Sequence, residues 1–137
     1  LADVKRTVEK AAASCHVEIT TLVMGGHNDD PAEIRELARW LAAINPDIPL
    51  HLSRYFPAWE MDEPPTDIRI LQDAKEIARG YLRYVYLGNV GGYDSTCCPE
   101  CGRTLLDRFR RCSLLQPGKL CPWCGTEIAI TGEVLFA

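Results

Sequence analysis

Four cysteines in two matching pairs are the residues of this sequence whose type and spacing point most directly to chemistry. The segments Cys98–Gly102 and Cys121–Gly125 both read C-P-x-C-G, and nineteen residues separate Cys101 from Cys121. Two thiolates three positions apart on a tight turn can reach one tetrahedral ion at about 2.3 Å. The glycine that ends each segment permits the positive φ that such a turn needs. Two turns complete four ligands and leave no open position, so the spacing predicts a structural zinc site made by Cys98, Cys101, Cys121 and Cys124.

Disulfides and an iron site are the alternatives to a zinc site for these cysteines. Six of the seven lie in the last third of the chain, and no secretory signal accompanies them, which favours metal over disulfides. An iron site of the rubredoxin type uses the same four thiolates and stays open as an alternative. Cys97 could replace Cys98, but only Cys98 reproduces the duplicated pattern. Cys15 and Cys112 are interpreted as packed or spare thiols.

Length and composition describe an ordinary globular chain. It has 137 residues, 47% of them apolar and 25% charged, with a formal net charge of −4. No apolar run approaches the ~20 residues needed to cross a bilayer. The acidic balance argues against a broad nucleic-acid footprint, so a nucleic-acid partner is not expected. We expect a cytoplasmic protein without a membrane partner, and the start at Leu1 without a methionine suggests a piece of something longer.

Helix and strand patterns alternate through the first two-thirds of the chain. Apolar residues at helical spacing predict three helices: one over 3–14, one that begins at Pro31 after an Asp30 cap and ends near 45–46, and one that is capped by Thr66 and runs to about Gly80. Runs rich in β-branched and other apolar residues predict strands over 17–24, 48–55 and 83–87. Such alternation predicts a parallel sheet with right-handed helical crossovers.

A glycine-rich linker at 88–96 separates this α/β region from the cysteines. We therefore predict an α/β domain over 1–90 and a zinc ribbon over 91–137. The ribbon also carries several arginines that could meet phosphates. Because Asp107 dilutes them and no dense aromatic pattern accompanies them, a solvated face or a protein-docking surface is the favoured interpretation. These arginines are Arg103, Arg108, Arg110 and Arg111.

Several segments of the α/β region carry a family resemblance. Residues 17–29, residues 49–59 and residues 84–90, with Pro64-Pro65-Thr66 between the last two, resemble the late barrel strands and loops of radical SAM activating enzymes. They are similar to relatives of pyruvate formate-lyase activating enzyme, and in particular to the AmmeMemoRadiSam subgroup. The resemblance implies the C-terminal half of a partial (β/α) barrel that binds S-adenosylmethionine beside a [4Fe–4S] cluster. It also implies an oxidoreductase that forms a 5′-deoxyadenosyl radical and abstracts hydrogen from a substrate or a partner enzyme.

The resemblance transfers ligand contacts onto particular positions. It implies that Thr20 and Leu22 contact S-adenosylmethionine and that Leu52, Arg54 and Phe56 reach its adenine and ribose. Members of the family often have a histidine where this chain has Phe56, although an aromatic ring can still stack on adenine. Thr20 and Leu22 could equally be ordinary residues of a buried strand.

The two histidines of these loops and strands are interpreted as structural. His27 reads as a loop residue, and His51 reads as a hydrogen-bonded histidine of the core. Among the candidate ligand contacts, Arg54 is the preferred functional residue because barrel chemistry gathers at the carboxyl ends of the strands.

The cluster motif of the family, C-x3-C-x2-C, is absent from these 137 residues. The full-length parent is therefore expected to be the enzyme, and this chain alone is expected to be inactive. A protein substrate to be activated is the implied partner, and a dimer through the exposed edge of the half barrel is also expected. The alternative, from a different functional class, is a non-enzymatic zinc-ribbon module that docks a protein or a nucleic acid.

Overall fold

A computed structural model describes residues 1–92 and 94–133, which belong to two compact units. The first unit is Leu1–Val90, and the second begins at Gly91. The first contains a parallel three-stranded sheet and the second a separate antiparallel one. The prediction of a mixed α/β chain with a small β appendage is confirmed at this level.

The first unit alternates helix and strand as predicted. Its elements are α1 (Ala2–Ala12), β1 (Ile19–Val23), α2 (Pro31–Ile44), β2 (Leu50–Arg54), α3 (Ile68–Arg79) and β3 (Val85–Gly88). The strands are parallel and stand in the order β1-β2-β3, which is also their order along the chain. The strands are shorter than the apolar runs that predicted them, because pairing with a neighbour stops before the run does.

The start of α2 matches the sequence, whereas the start of α3 requires a correction. Asp30 caps α2 by accepting the Ala32 N–H at 2.8 Å, and Pro31 takes the first helical position. The cap of α3 is Asp67, which accepts the Arg69 N–H at 2.9 Å. The prediction that Thr66 caps this helix is wrong. Both residue types make good caps, so the pattern alone does not decide between neighbours.

The hydrophobic core lies between one face of the sheet and the helices. Side chains along a strand alternate between the two faces. The alternation sends one set into the core beneath α2 and α3, and those residues are Val23, Leu50, Leu52 and Val85. Both crossovers therefore run over the same face and have the same hand. The three strands form an open sheet, and no closed barrel occurs among the described residues.

The second unit is a small antiparallel sheet with two cysteine turns. Its strands are β4 (Thr96–Cys97), β5 (Thr104–Asp107) and β6 (Cys112–Ser113), in that order across the sheet. Leu105 and Ile128 are its largest fully buried apolar side chains. Among the described residues of the chain, no helix has the length and apolar character that a membrane span requires.

Candidate functional site

The two cysteine turns have the same backbone hydrogen bonds. In the first, Cys98 N–H donates to the Arg103 carbonyl at 2.8 Å and Gly102 N–H to the Cys98 carbonyl at 2.9 Å. In the second, Cys121 N–H donates to the Thr126 carbonyl at 2.8 Å and Gly125 N–H to the Cys121 carbonyl at 2.9 Å. The glycines have φ of 71° and 74°, the left-handed conformation that disfavours a side chain. Duplicated sequence has produced duplicated geometry.

The four sulfur atoms converge on one point. Cys98 Sγ lies 3.5 Å from Cys124 Sγ, Cys101 Sγ lies 3.6 Å from Cys121 Sγ, and all four lie within 4.8 Å of one another. A tetrahedral ion with bonds of about 2.3 Å separates its ligands by roughly 3.8 Å. A disulfide brings its sulfurs to about 2.05 Å, so these thiols are unpaired. This group could therefore hold a metal ion.

The protein environment shifts the pKa values of two of these thiols in opposite directions. Burial disfavours the thiolate of Cys98 and raises the pKa of that thiol to about 12. The Thr126 hydroxyl, 3.3 Å from Cys124 Sγ, together with the Thr126 backbone, stabilises the Cys124 thiolate and lowers its pKa to about 6. A cation at the centre of the four sulfurs would supply the charge that the buried Cys98 thiolate lacks.

The remaining cysteines stand outside this group. Cys97 Sγ lies 3.9 Å from the Thr104 hydroxyl oxygen, across the β4–β5 pair. Cys112 lies in β6. Cys15 follows α1, where its thiol donates to the Ala11 carbonyl at 3.2 Å. None of the three belongs to the cluster of four sulfurs.

In the first unit, two of the candidate ligand contacts share the sheet face that points away from the helices. Thr20 is exposed and Leu22 is 47% exposed, because their positions alternate with the core-facing Ile19, Thr21 and Val23. His51 and Ser53 of β2 pair with Thr20 and Leu22 and therefore project from the same face. Thr20 and Leu22 are thus accessible side chains rather than parts of a buried strand.

The other three candidate contacts have different positions. Leu52 is 0% exposed and packs into the core on the helix face, so its side chain is not available to a ligand. Arg54 ends β2, where its Nε–H donates to the Thr66 carbonyl at 2.7 Å. Its guanidinium also lies 4.7 Å from the ring centroid of Phe56, which is 46% exposed. Arg54 and Phe56 therefore form an accessible cation–π pair at the carboxyl end of the sheet.

The two histidines each lie near a carboxylate. His51 Nε2 lies 2.8 Å from Glu18, and its ring stacks on Tyr86 with centroids 5.2 Å apart. Hydrogen bonds from His16 and His51 lower the pKa of the Glu18 carboxyl, with His16 the larger cause. His27 lies 3.7 Å from Glu63 on the surface. His51 is accordingly a hydrogen-bonded sheet residue.

Thr66 has a structural role that sequence reasoning missed. Its buried hydroxyl donates to the Val23 carbonyl at 2.6 Å and accepts the Tyr55 N–H at 3.3 Å. It therefore joins the carboxyl ends of β1 and β2, beside Arg54. Nothing in the local pattern distinguishes this threonine from a helix cap.

The ribbon arginines occupy two places. Arg108, Arg110 and Arg111 form the exposed turn between β5 and β6 together with Phe109, which is 77% exposed. Asp107 fixes this turn by accepting the N–H groups of Phe109 and Arg110, each at 3.0 Å. Arg103 instead lies over the Trp123 ring, 5.3 Å from its centroid.

Comparison with curated proteins finds an archaeal relative whose description names no activity. The chain is 32% identical, over 143 residues, to a protein of Methanocaldococcus jannaschii described as "Uncharacterized protein MJ0808". The match covers 92% of this chain and 43% of that protein, so the chain spans less than half the length of this relative. No protein-family model and no solved structure matches the chain.

Proposed function

We propose that this chain is the C-terminal portion of a radical SAM activating-type enzyme, with a ribbon that binds one structural zinc ion. The order of the sheet carries the proposal. Three parallel strands follow one another in chain order, with their helices on a single face. A (β/α) barrel wall has this arrangement, whereas a doubly wound sheet reverses its strand order and places helices on both faces.

The sheet face away from the helices supports the same proposal. In a barrel, this face lines the interior, and ligands bind at the carboxyl ends of the strands. Here the carboxyl end carries the accessible Arg54–Phe56 pair, and the face away from the helices carries the exposed Thr20 and Leu22, whereas Tyr86 on the same face is buried. Phe56 offers a ring on which adenine could stack, and Arg54 offers a cation for a carboxylate or ribose oxygen. Leu52 is excluded from the proposed contacts because its side chain is buried in the core.

This chain by itself lacks the residues for the redox step. Bound S-adenosylmethionine and a [4Fe–4S] cluster would together supply hydrogen-abstraction chemistry. The three-cysteine motif is absent from the sequence, and the ribbon thiols already converge on one another. We place the cluster in another part of a longer chain, and the length of the Methanocaldococcus relative leaves room for it.

Zinc is the proposed ion for the ribbon because four thiolates in closed tetrahedral positions suit zinc and leave no site for a substrate. Elemental analysis of the purified chain by mass spectrometry should give about one zinc per chain. Stoichiometric iron, with the absorption bands of a ferric thiolate, would contradict the zinc assignment and favour the rubredoxin-like alternative.

The enzyme proposal is tested on the longer chain encoded in the same reading frame. That chain should contain C-x3-C-x2-C, bind a [4Fe–4S] cluster after anaerobic reconstitution, and cleave S-adenosylmethionine when reduced. Arg54→Met should weaken S-adenosylmethionine binding, whereas Arg39→Met, on the exposed surface of α2, is the matched control. A longer chain without the motif, or a reconstituted chain without cleavage, would refute the proposal.

A second candidate function has a specific observation in its favour. The turn after β5 presents Phe109 between exposed arginines, and both residue types are enriched at protein interfaces. If the longer chain lacks the cluster motif, a non-enzymatic module that docks a protein or a nucleic acid through this turn becomes the better proposal. Its partner would bind Phe109→Ala less tightly than the unchanged chain.

A further inference from the structure

An apolar groove lies beside the first strand of the sheet. Its volume is about 500 Å³, and it is enclosed by α1, α2 and the outer edge of β1. Its lining is mainly apolar, from residues Val4, Val8, Ile19, Leu37 and Trp40. A water molecule occupies about 30 Å³ in the liquid, so the groove has room for several side chains.

The helix above this groove is incompletely packed. α1 is amphipathic, yet it has no fully buried residue, and Val4 is 59% exposed. Polar contacts at the rim position it against α2, where Lys5 lies 3.9 Å from Glu36 and Trp40 Nε1–H donates to Glu9 at 3.2 Å. An amphipathic helix is stabilised mainly by burying its apolar stripe. Whatever fills the groove would complete that burial.

The edge of β1 presents backbone groups to the same groove. Ile19 N–H donates to the Pro49 carbonyl, so the alternate residues Thr20 and Leu22 turn their backbone groups away from β2. β1 ends the sheet on that side. Further along, the Asn28 side chain donates to the Leu22 carbonyl and accepts the Met24 N–H, each at 2.8 Å. Among the described residues, the Thr20 N–H and carbonyl and the Leu22 N–H therefore remain available to a neighbouring strand.

The chain connectivity specifies where such a strand would lie. α1 contributes Val8 and Ala12 to the same core as α2 and α3, so it covers the same face of the sheet. A right-handed crossover through a helix on this face always moves in the same direction across the sheet, here from β1 towards β3. A parallel strand that α1 connects to β1 must then lie on the side of β1 away from β2. That position is the groove.

We propose that the groove holds a parallel β-strand from the part of a longer chain that precedes α1. The strand hydrogen-bonds to Thr20 and to the Leu22 N–H, and its apolar side chains pack against Val4, Val8 and Trp40. It diverges from β1 where Asn28 occupies the edge, which leaves the carboxyl end of the sheet open. The inference rests on the half-barrel part of the proposed function and not on its radical chemistry. The Methanocaldococcus relative, with more than half its length outside the match, supplies a precedent for such a longer chain.

Amide exchange measured by NMR compares the 137-residue chain with the longer chain from the same reading frame. In the short chain at low concentration, the Thr20 and Leu22 amides should exchange quickly, while the Thr21 and Val23 amides, which face β2, are protected. In the longer chain, exchange at Thr20 and Leu22 should slow by about 100-fold or more, as in a paired strand. Unchanged exchange at these two amides, or a reading frame with no strand before α1, would overturn the inference.

Other outcomes of the same experiment bear on the occupant. Protection of Thr20 that rises with concentration in the longer chain would assign the groove to a second copy and refute the strand. In the short chain alone, protection that rises with concentration is the expected dimer through the open edge and supports the inference. Protection in the longer chain without S-adenosylmethionine cleavage would keep the strand and remove only the radical SAM proposal. The two failures can therefore be distinguished.

Proline substitution gives an independent readout. Thr20→Pro removes an N–H that faces the groove, so it should lower the urea midpoint of the longer chain more than that of the short chain. Thr21→Pro removes an N–H that pairs with β2 and should destabilise both chains equally. An equal effect of Thr20→Pro on the two chains would contradict pairing at this edge.

Discussion

The two units of this chain differ in how much apolar surface they bury. The first buries a contiguous set of apolar side chains between a sheet and helices, among them Leu41, Leu50, Leu52 and Leu71, each 0% exposed. The second buries far less, and two of its most buried residues are Cys98 and Cys121 of the sulfur cluster. A unit of 90 residues can form its own core, whereas a unit of half that size commonly needs a metal or disulfides. The contrast is the reason to expect that the second unit depends on the proposed metal ion and the first does not.

The largest expected effect comes from removing one ligand. Cys98→Ser should abolish tight zinc binding and unfold the ribbon, because structural zinc contributes about 10–16 kcal/mol to small domains. The first unit should keep its unfolding midpoint. Zinc content and the circular dichroism of the helices would be measured on the same sample. Cys112→Ser is the matched control, and an equal loss of zinc in that variant would mean that the ligand set is assigned incorrectly.

A cavity in the first unit should produce the opposite pattern. Leu52→Ala removes a fully buried side chain and should destabilise the first unit by about 2–5 kcal/mol in urea unfolding, without loss of zinc. Leu22→Ala, on the exposed face of the neighbouring strand, should cost less than about 1 kcal/mol. Equal costs for the two leucines would contradict the assignment of sheet faces.

A smaller effect should follow from Thr66→Val. The substitution keeps the shape of the side chain but leaves the Val23 carbonyl and the Tyr55 N–H without the hydroxyl partner. An unsatisfied buried group costs about 1–3 kcal/mol. The urea midpoint of Thr66→Val should therefore fall, whereas that of Thr20→Val, at an exposed strand position, should not change. A neutral Thr66→Val would show that the hydroxyl does not join β1 and β2.

The smallest effect concerns the pH dependence of zinc binding. Binding requires thiolates, so each thiol that is protonated without metal lowers the affinity about tenfold per unit fall in pH. Cys98, with its pKa raised to about 12, contributes this dependence across the neutral range. Cys124, with its pKa lowered to about 6, contributes only below that pH. Competition titrations with a chromophoric chelator measure the zinc affinity at each pH. Below about pH 6, the logarithm of this affinity should fall more steeply with decreasing pH, by the equivalent of one additional proton. Thr126→Val removes the hydroxyl that stabilises the Cys124 thiolate, so the change of slope should move to higher pH.

Sequence patterns predicted the kinds of element better than their details. The α2 helix was predictable because Asp30 and Pro31 act locally, and the sulfur cluster was anticipated because the two C-P-x-C-G segments repeat. The direction of the Leu52 side chain was not predictable from family likeness, because register across three strands decides which face each residue occupies. The role of Thr66 depends on β1, far away in the sequence, so no local pattern could identify it.

The ribbon arginines show both what the sequence predicts and where it stops. The Asp107 carboxylate lies 3.7 Å from the Arg110 guanidinium, so it offsets part of their charge as its position in the sequence suggested. The same carboxylate accepts the N–H groups of Phe109 and Arg110, and Phe109 is 77% exposed in the turn that results. That exposure depends on the backbone of the turn and not on residue type alone.

Hydrogen exchange measured before and after treatment with a strong zinc chelator tests most directly whether the two units are stabilised independently. We expect four amides that are hydrogen-bonded in the two cysteine turns to lose protection when the metal is removed, namely those of Cys98, Gly102, Cys121 and Gly125. The amides of Thr21, Val23 and Leu52 in the parallel sheet should keep theirs. Loss of protection in both units, or in neither, would contradict independent stabilisation of the two units.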